Sequence, residues 1–429
     1  MQGPSWCNQQ TLQETSWEDV QRRVSSPVRA AIDKVMTALD GGGLSRDECL
    51  LLANCDGDDL FGLVVAANQL RHLLVGDTIS YVVTRNINFT NVCFVGCKFC
   101  AFSVGPHHET AYFLSLDEVA RKCREAAEWG ATEVCIQGGL PRNLPAFYYR
   151  DILRAVKSAT PRMHAHAFSP MEMVYGVELT GMPVREYLLM LKDSGLDTLP
   201  GTAAEVLDDR VRQVLSRNKL TTAQWCEVIE TAHECGIRST STMMYGHSET
   251  PEHWVNHMLL LREIQSRTNG FTEFVPLGFI HDNTLLFAQG LARTGGTMAE
   301  HMKVHALARL VLAGSIDHIQ VSWVKLGREV SQLSLLAGAD DYGGTLFEEN
   351  ISRLAGSTAG QYTSAAEFQE RIIELGRVPA QRNTLYTNYV DVVQARLLPQ
   401  RLTPDGFSTA FDKAEAVPFQ NATPLGGNA

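Results

Sequence analysis

The chain has 429 residues, of which 45% are hydrophobic and 20% charged, and a formal net charge of -11. That composition suits a globular protein with a large apolar core, either one big α/β barrel with extensions or about two or three average domains. The acidic balance gives no general attraction to phosphate backbones or anionic lipid, so neither nucleic acid nor a membrane is an expected partner.

The polar, acidic start MQGPSWCNQQTLQETSWEDV lacks the basic and then apolar order of a signal peptide, and residues 1–16 are expected to be disordered. Residues 17–77 read as a helical cap on the α/β segment C-terminal to them. VRAAIDKVMTALDGG runs into a glycine stop, SRDECLLLANC opens on a capping box of Ser45 and Glu48, and a third helix covers 60–74. The longest apolar stretches, such as 61–67, fall well short of a membrane span. Seven scattered cysteines (Cys7, Cys49, Cys55, Cys123, Cys135, Cys226, Cys235) read as small core residues in a reducing, cytoplasmic compartment.

From residue 78 short β-branched runs alternate with longer amphipathic ones. Strands are expected at ISYVVTRNINFTN, EVCIQGG, RMHAHAFS, TLPGTAAE, RSTSTMMYGH, EFVPLGF, HIQVSWV and GGTLFEEN. Helices are expected at 115–130, 146–158, 183–195, 221–236, 251–266, 298–313 and 328–337, with one more near 365–375. The pattern predicts an α/β protein, a (β/α)8 TIM-like barrel over 78–386. The competing open sheet lacks a glycine-rich dinucleotide fingerprint after its first strand. Residues 387–429 read as a short helix and a loose tail.

Directly after the first strand, NINFTNVCFVGCKFCAF spaces Cys93, Cys97 and Cys100 as C-x3-C-x2-C. In a barrel that is the C-terminal, active-site face. Converging thiolates bind a soft or borderline metal. A zinc site wants a fourth ligand, which His107 or His108 would supply, and a non-catalytic zinc-binding structural protein is the alternative from a different class. A cubane cluster held by three cysteines leaves one iron open. Such an iron can chelate the amino and carboxylate groups of S-adenosylmethionine (SAM) and pass it one electron.

With Phe99 before the last cysteine, the spacing resembles the radical SAM signature. The wording NVCFVGCKFCAF, IQGGL, LPGTAAEVLDD, MMYGHSET, GGTLFEENISRLAG and RVPAQRNTLY resembles the FO synthase second subunits over about residues 79–386. These are tyrosine 4-hydroxyphenyl transferases of deazaflavin biosynthesis. The resemblance implies a radical SAM barrel with a [4Fe-4S] cluster on the three cysteines. It implies that Gly138 and Gly139 contact the methionyl end of SAM and that Glu205 meets its ribose or amino-acid part. A tight turn and a solvated helix-start glutamate are the plainer readings of those positions. Arg210 and Arg212 are weaker candidates for the SAM carboxylate. The implied reaction joins the p-hydroxybenzyl group of L-tyrosine to 5-amino-6-(D-ribitylamino)uracil, releasing 2-iminoacetate, methionine and 5'-deoxyadenosine. An electron donor of the ferredoxin or flavodoxin type and a ring-closing FO synthase subunit are the implied partners. A menaquinone-pathway aminofutalosine or cyclic dehypoxanthine futalosine synthase is the alternative activity.

That chemistry wants a base and several polar substrate contacts. His164 and His166 alternate on the third strand and share a face. They are catalytic candidates if that face is the barrel interior, and core histidines if it is not. Ser169 ends the same strand, and Tyr245, His247 and Glu249 close the fifth. Ser169, Tyr245 and Glu249 are expected to bind substrate and His247 to be catalytic. Glu348, Glu349 and Asn350 hold the equivalent place on the eighth strand, or cap the helix after it. His253 and His257 lack the glutamate of H-E-x-x-H and are expected at the surface.

Overall fold

The computed structural model describes residues 3–39 and 43–390. Its first apolar run divides at Val83 into β1 (Thr78–Val82) and β2 (Thr84–Ile87). There follow β3 (Glu133–Ile136), β4 (His164–Ala167), β5 (Thr198–Leu199), β6 (Arg238–Tyr245), β7 (Phe271–Gly278), β8 (Asp341–Gly344), β9 (Val378–Arg382) and β10 (Tyr389–Val390). Strands β2 to β7 pair in parallel and in chain order, with one register line running through Asn86, Cys135, His166 and Thr198. Single bridges from Phe274 to Ile319 and from Gln320 to Asp341 carry the ladder to β8, and a bridge from Arg85 to Phe347 returns it to β2. The barrel therefore closes, although HIQVSWV contributes bridges rather than a full strand. The eighth strand starts at Asp341, two residues ahead of its predicted run.

Helices pack outside this cylinder, and their starts are set by side chains. Ser115, Ser169, Thr221 and Thr297 each close a capping box with Glu118, Glu172, Gln224 or Glu300. Each cap is worth about 0.5–2 kcal/mol and fixes where a strand–helix loop ends. The helix Pro170–Thr180 is not expected from periodicity, because PMEMVYGVELT spreads its apolar residues around the axis rather than along one stripe. His257, expected at the surface, is fully buried, and its Nδ1 accepts the Leu207 amide at 3.1 Å.

The N-terminal helices lie elsewhere than a cap over the barrel mouth. Gly57–Val75 packs against Met298–Val311, and Arg46–Ala53 against Pro251–Thr268, so they flank the barrel. The expected disorder of residues 1–16 also gives way to structure over residues 3–16. Gln9–Glu14 is a helix capped by Asn8, Leu12 is buried, and Trp6 stacks on Phe61 with ring centroids 5.2 Å apart. The expected C-terminal helix and tail fall almost wholly outside the described residues.

A second departure lies at the other end of the barrel. β9 pairs in parallel with β1, and the turn leading to the antiparallel β10 crosses the barrel's N-terminal opening. Arg382 binds Asp341 in a two-pronged contact, Nε at 2.5 Å and Nη2 at 3.1 Å, and reaches Glu273 at 3.2 Å. Thr384 donates to Glu133, Tyr386 donates to Glu273 and its ring stacks on His318. These contacts make an ionic floor.

Candidate active site

The mouth of the barrel holds a cavity of about 380 Å³, and among the described residues none before Asn86 lines it. Cys93, Cys97, Phe99, Cys100, Gly138, Gly139, Ser169 and Glu205 all stand on its wall. The loop that carries the thiols is tied down by main-chain bonds: Cys93 N to Val104 O at 3.1 Å, Phe94 N to Leu140 O at 3.0 Å and Lys98 N to Leu215 O at 2.9 Å. Gly139 donates to Thr90 O at 2.8 Å, and a Cβ there would lie 2.2 Å from Val92 O. A Cβ on Gly138 would meet the Phe89 ring at 2.6 Å. The two glycines are thus required by the close approach of the cysteine loop to the end of β3.

All three thiols are free. Burial pushes each of them up, and they reinforce one another, Cys97 acting on Cys93, Cys100 on Cys97 and Cys93 on Cys100. Donors oppose this: Leu140 and Val95 amides at Cys93, and Phe102 and Ser103 amides at Cys100. The buried Ser216 hydroxyl makes no other hydrogen bond and acts on Cys97. Three thiols on one short loop and one cavity wall, each met by a donor, are a donor set suited to an iron–sulfur cluster, whose thiolates need that stabilisation. Among the described residues no three His, Cys, Asp or Glu side chains meet closely enough to grip a single ion. His107 and His108, the fourth ligands a zinc site wanted, are exposed and away from the cavity.

Next to the thiols, Glu205 sits at φ +46° and pairs with Lys219, whose ammonium lies 4.9 Å from the Phe99 ring centroid. Burial works against the Glu205 charge, yet Lys219, with Arg212 and His247 behind it, holds the carboxyl below the usual range. Arg212 is spent on the Ala203, Ala204 and Leu220 carbonyls, and Arg210 points to solvent, so neither reaches the cavity. Across from these, Glu172 takes the Gly138 amide at 3.0 Å on one oxygen, and the Ser169 amide and hydroxyl at 2.7 Å on the other. Burial pushes its carboxyl up to about 7 against the pull of those donors. The Ser169 hydroxyl is therefore committed to Glu172, and Glu172 positions the Gly138 turn.

Several expected site residues stand outside the cavity. Tyr245 faces the helices: its hydroxyl meets His301 Nδ1 at 2.7 Å and its ring packs edge-on to Trp254, because its neighbours Thr242 and Met244 take the inward positions of β6. His247 is buried under the loop, with Nε2 3.1 Å from Met244 O. Glu249 holds that loop through the Gly246 and His247 amides, the Trp254 indole and Arg293. His164 and His166 do face inward, His166 in register with Cys135, but neither lines the cavity, and both share Thr198 Oγ1 at 2.8 Å. Burial, with Arg382 adding, lowers His166 to about 3. Glu348 pairs with Arg85 and Lys122, whereas Glu349 lines the cavity with both oxygens on the Ser352 amide.

Sequence reasoning missed Glu172, Lys219, Lys325, Asn86 and Gln320, all on the cavity wall. The Ser169-x-x-Glu172 capping box was a readable signal for the first. Asn86 Oδ1 is buried with no partner. Lys325 lies in a turn after the seventh strand position, and burial lowers its ammonium against the fields of Glu349, Glu205 and Cys100.

Residues 87–261 match the Radical SAM superfamily, and 268–395 the CofH/MqnC C-terminal region. The 5-amino-6-(D-ribitylamino)uracil–L-tyrosine 4-hydroxyphenyl transferase of Methanocaldococcus jannaschii is 48% identical over 346 residues, covering 80% of this chain and 96% of that one. FO synthases of Mycobacterium leprae and Streptomyces coelicolor are 50% and 51% identical, over 86% and 85% of this chain. The chain spans less than half the length of those two, 44% and 42%. Among solved structures, the FeFe-hydrogenase maturase HydG from Carboxydothermus hydrogenoformans superposes with a TM-score of 0.65 at 16% identity, covering 88% of this chain and 85% of that one. Methylornithine synthase (PylB) does so at 0.62 and 16%, covering 86% and 100%. Those two show the same fold.

Proposed function

We propose, from the premise that this chain belongs to the radical SAM superfamily and within it to the family of that tyrosine 4-hydroxyphenyl transferase, that it performs the same transfer. The substrates would be L-tyrosine and 5-amino-6-(D-ribitylamino)uracil, and the product a precursor of the deazaflavin FO. The observation that carries the reading is the set of three donor-met thiols on the wall of a cavity in the size range of small-molecule sites.

Cys93, Cys97 and Cys100 would hold a [4Fe-4S] cluster, with Phe99, Gly138, Gly139 and Glu205 beside the bound SAM. When bound, these groups supply one-electron cleavage of the sulfonium and with it a radical able to abstract hydrogen. The chain's own part is positioning and exclusion. Glu172 fixes the Gly138 turn, Lys219 keeps Glu205 charged, and the apolar walls formed by Leu277, Phe279 and Leu346 keep water from the reacting carbon. The unpartnered Asn86 Oδ1 is a ready acceptor for an N–H of the uracil. The ionic floor closes the barrel from below. An external ferredoxin or flavodoxin type protein would supply the electron, and a separate ring-closing subunit would take the product.

Anaerobic incubation of reduced, reconstituted protein with SAM, tyrosine and the diaminouracil tests this. The expected result is a p-hydroxybenzyl adduct of the uracil together with tyrosine-dependent 2-iminoacetate, read as glyoxylate. Deoxyadenosine formed with no dependence on tyrosine would remove the assignment.

A further inference from the structure

The geometry points to Lys325 as the cation that receives the α-carboxylate of the amino-acid substrate, an inference that rests on the reading above. Two lysines among the described residues line the cavity. Lys219 is neutralised by Glu205. Lys325 Nζ donates to the Ser352 hydroxyl at 3.1 Å and forms no ion pair among the described residues. The nearest carboxylate of its own wall, Glu349, has both oxygens on the Ser352 amide, at 3.0 and 3.1 Å.

The backbone puts this lysine where it is. Gly327 has φ +72° inside Trp323–Leu335, which breaks the helix and leaves Trp323 to Leu326 as a separate turn at the cavity rim. Only glycine takes that conformation without strain. A half-buried ammonium with one neutral partner is poorly compensated, and an incoming carboxylate relieves it. The surroundings say which carboxylate. Leu277, Phe279, Val324, Leu346 and Ile351 share the wall with Lys325, so a charged head beside an apolar ring fits. Lys325 follows the seventh strand position. Gly138, Gly139 and Ser169 follow the second and third, across the mouth, which leaves that side to SAM. The occupant is therefore the aromatic amino acid.

The test is equilibrium dialysis of oxidised holoenzyme with SAM present, so that no turnover occurs, against L-tyrosine and against tyrosinamide, which lacks the carboxylate. Wild type is expected to prefer tyrosine by at least about tenfold. Lys325→Met should weaken tyrosine by about 10- to 100-fold, the range of a charge-assisted hydrogen bond, while tyrosinamide and SAM stay within about threefold. Lys325→Arg should keep the preference. Metal-free Lys325→Met should melt no lower than wild type, since it loses a half-buried charge with no ion pair among the described residues, whereas loss of a merely structural lysine would lower it. Lys325→Gln replaces the methionine variant if that one does not fold, and is read in the same way. A tyrosine preference that survives in Lys325→Met overturns the inference alone. A loss that falls on SAM instead gives the site to the SAM carboxylate and overturns it too. Wild type that binds no tyrosine sinks the functional reading itself.

Discussion

Replacing Arg382 with methionine removes a cation that Asp341 and Glu273 share beneath the barrel. The guanidinium makes a two-pronged contact with Asp341, reaches Glu273 at 3.2 Å and stacks over the Tyr386 ring 4.1 Å from its centroid. All three charged side chains are at most 7% exposed, so solvent screens almost nothing. Ser80 and the Gly343 amide still serve Asp341 after the change, but a buried carboxylate is left without its counter-charge. Breaking one side of such a pair costs about 3–5 kcal/mol, a large part of the roughly 5–15 kcal/mol that holds a typical domain folded. Glu273 sharpens the expectation. Burial, with Asp341 and Glu133 adding, lifts it to about 7 against the pull of Arg382. A carboxyl raised in the folded state gives stability that is full below its unfolded value, near 4.5, and is lost as pH rises through about 7. The Arg382→Met deficit should therefore grow with pH. Urea unfolding followed by circular dichroism at pH 6 and pH 8 measures it. Arg382→Met/Asp341→Asn should recover at least half the loss, because removing both charges avoids the orphaned one. A single variant as stable as wild type, or a double variant weaker than the single, would refute the ionic-floor argument.

Cys93→Ala, Cys97→Ala and Cys100→Ala should each give colourless protein without cluster absorbance and melt within about 3 °C of metal-free wild type, because the barrel core is formed without them. Gly139→Ala places a Cβ 2.2 Å from Val92 O, so the cysteine loop must shift. Iron content should fall and stability drop by about 1–3 kcal/mol, and full iron loading would contradict the close-approach reading. Tyr245→Phe should cost about 1 kcal/mol through the lost bond to His301 and leave the tyrosine KM within twofold. A tenfold rise would return Tyr245 to the substrate site. Burial lowers His166 and His257 to about 3 and His233, His301 and His305 to about 4. Their contribution is present above about pH 6.5 and lost on acidification, and it outweighs the opposite trend of Glu172 and Glu273. The melting temperature should fall steadily from pH 7 to pH 5, and a flat profile would count against buried neutral imidazoles.

The periodicity of the sequence carried the barrel because parallel strands buried on both faces and amphipathic outer helices leave different repeats. It carried the cysteine loop because ligand chemistry demands spacing in a short stretch. It did not carry the floor. RVPAQRNTLY has no strand-like alternation, and the partners of Arg382, Thr384 and Tyr386 lie 41 to 251 residues away in the chain. The substrate side of the cavity was hidden for the same reason, since a single lysine in WVKLG gains meaning only when its carboxylate neighbours are known to be occupied elsewhere. Tyr245, His247 and Glu249 misled because MMYGHSET is polar at the right strand end. Alternation along β6 sends Tyr245 outward, and Glu249 turns back onto its own loop.

Backbone strain gathers at the mouth, while the opposite side carries two instances among the described residues, Asn269 at φ +47° ahead of β7 and Tyr386 at φ +57°. Phe168, Ala203, Glu205, Leu346 and Glu348 are non-glycine residues with φ between +46° and +66°, and all lie just past the ends of β4, β5 or β8. Each costs on the order of 1–3 kcal/mol and survives only where its surroundings dictate it. Phe168 is wedged against Tyr149 and Phe89, Glu205 is held by Lys219 and by the Met244 amide at 2.7 Å, and Glu348 by Arg85 and Lys122. Such residues can be held in place only if the strands beneath them do not slide. A floor that cross-links the starts of β3, β7 and β8 through one short C-terminal turn meets that demand. The stable end of the barrel lets the other end keep strained backbone and a lysine with no ion pair among the described residues.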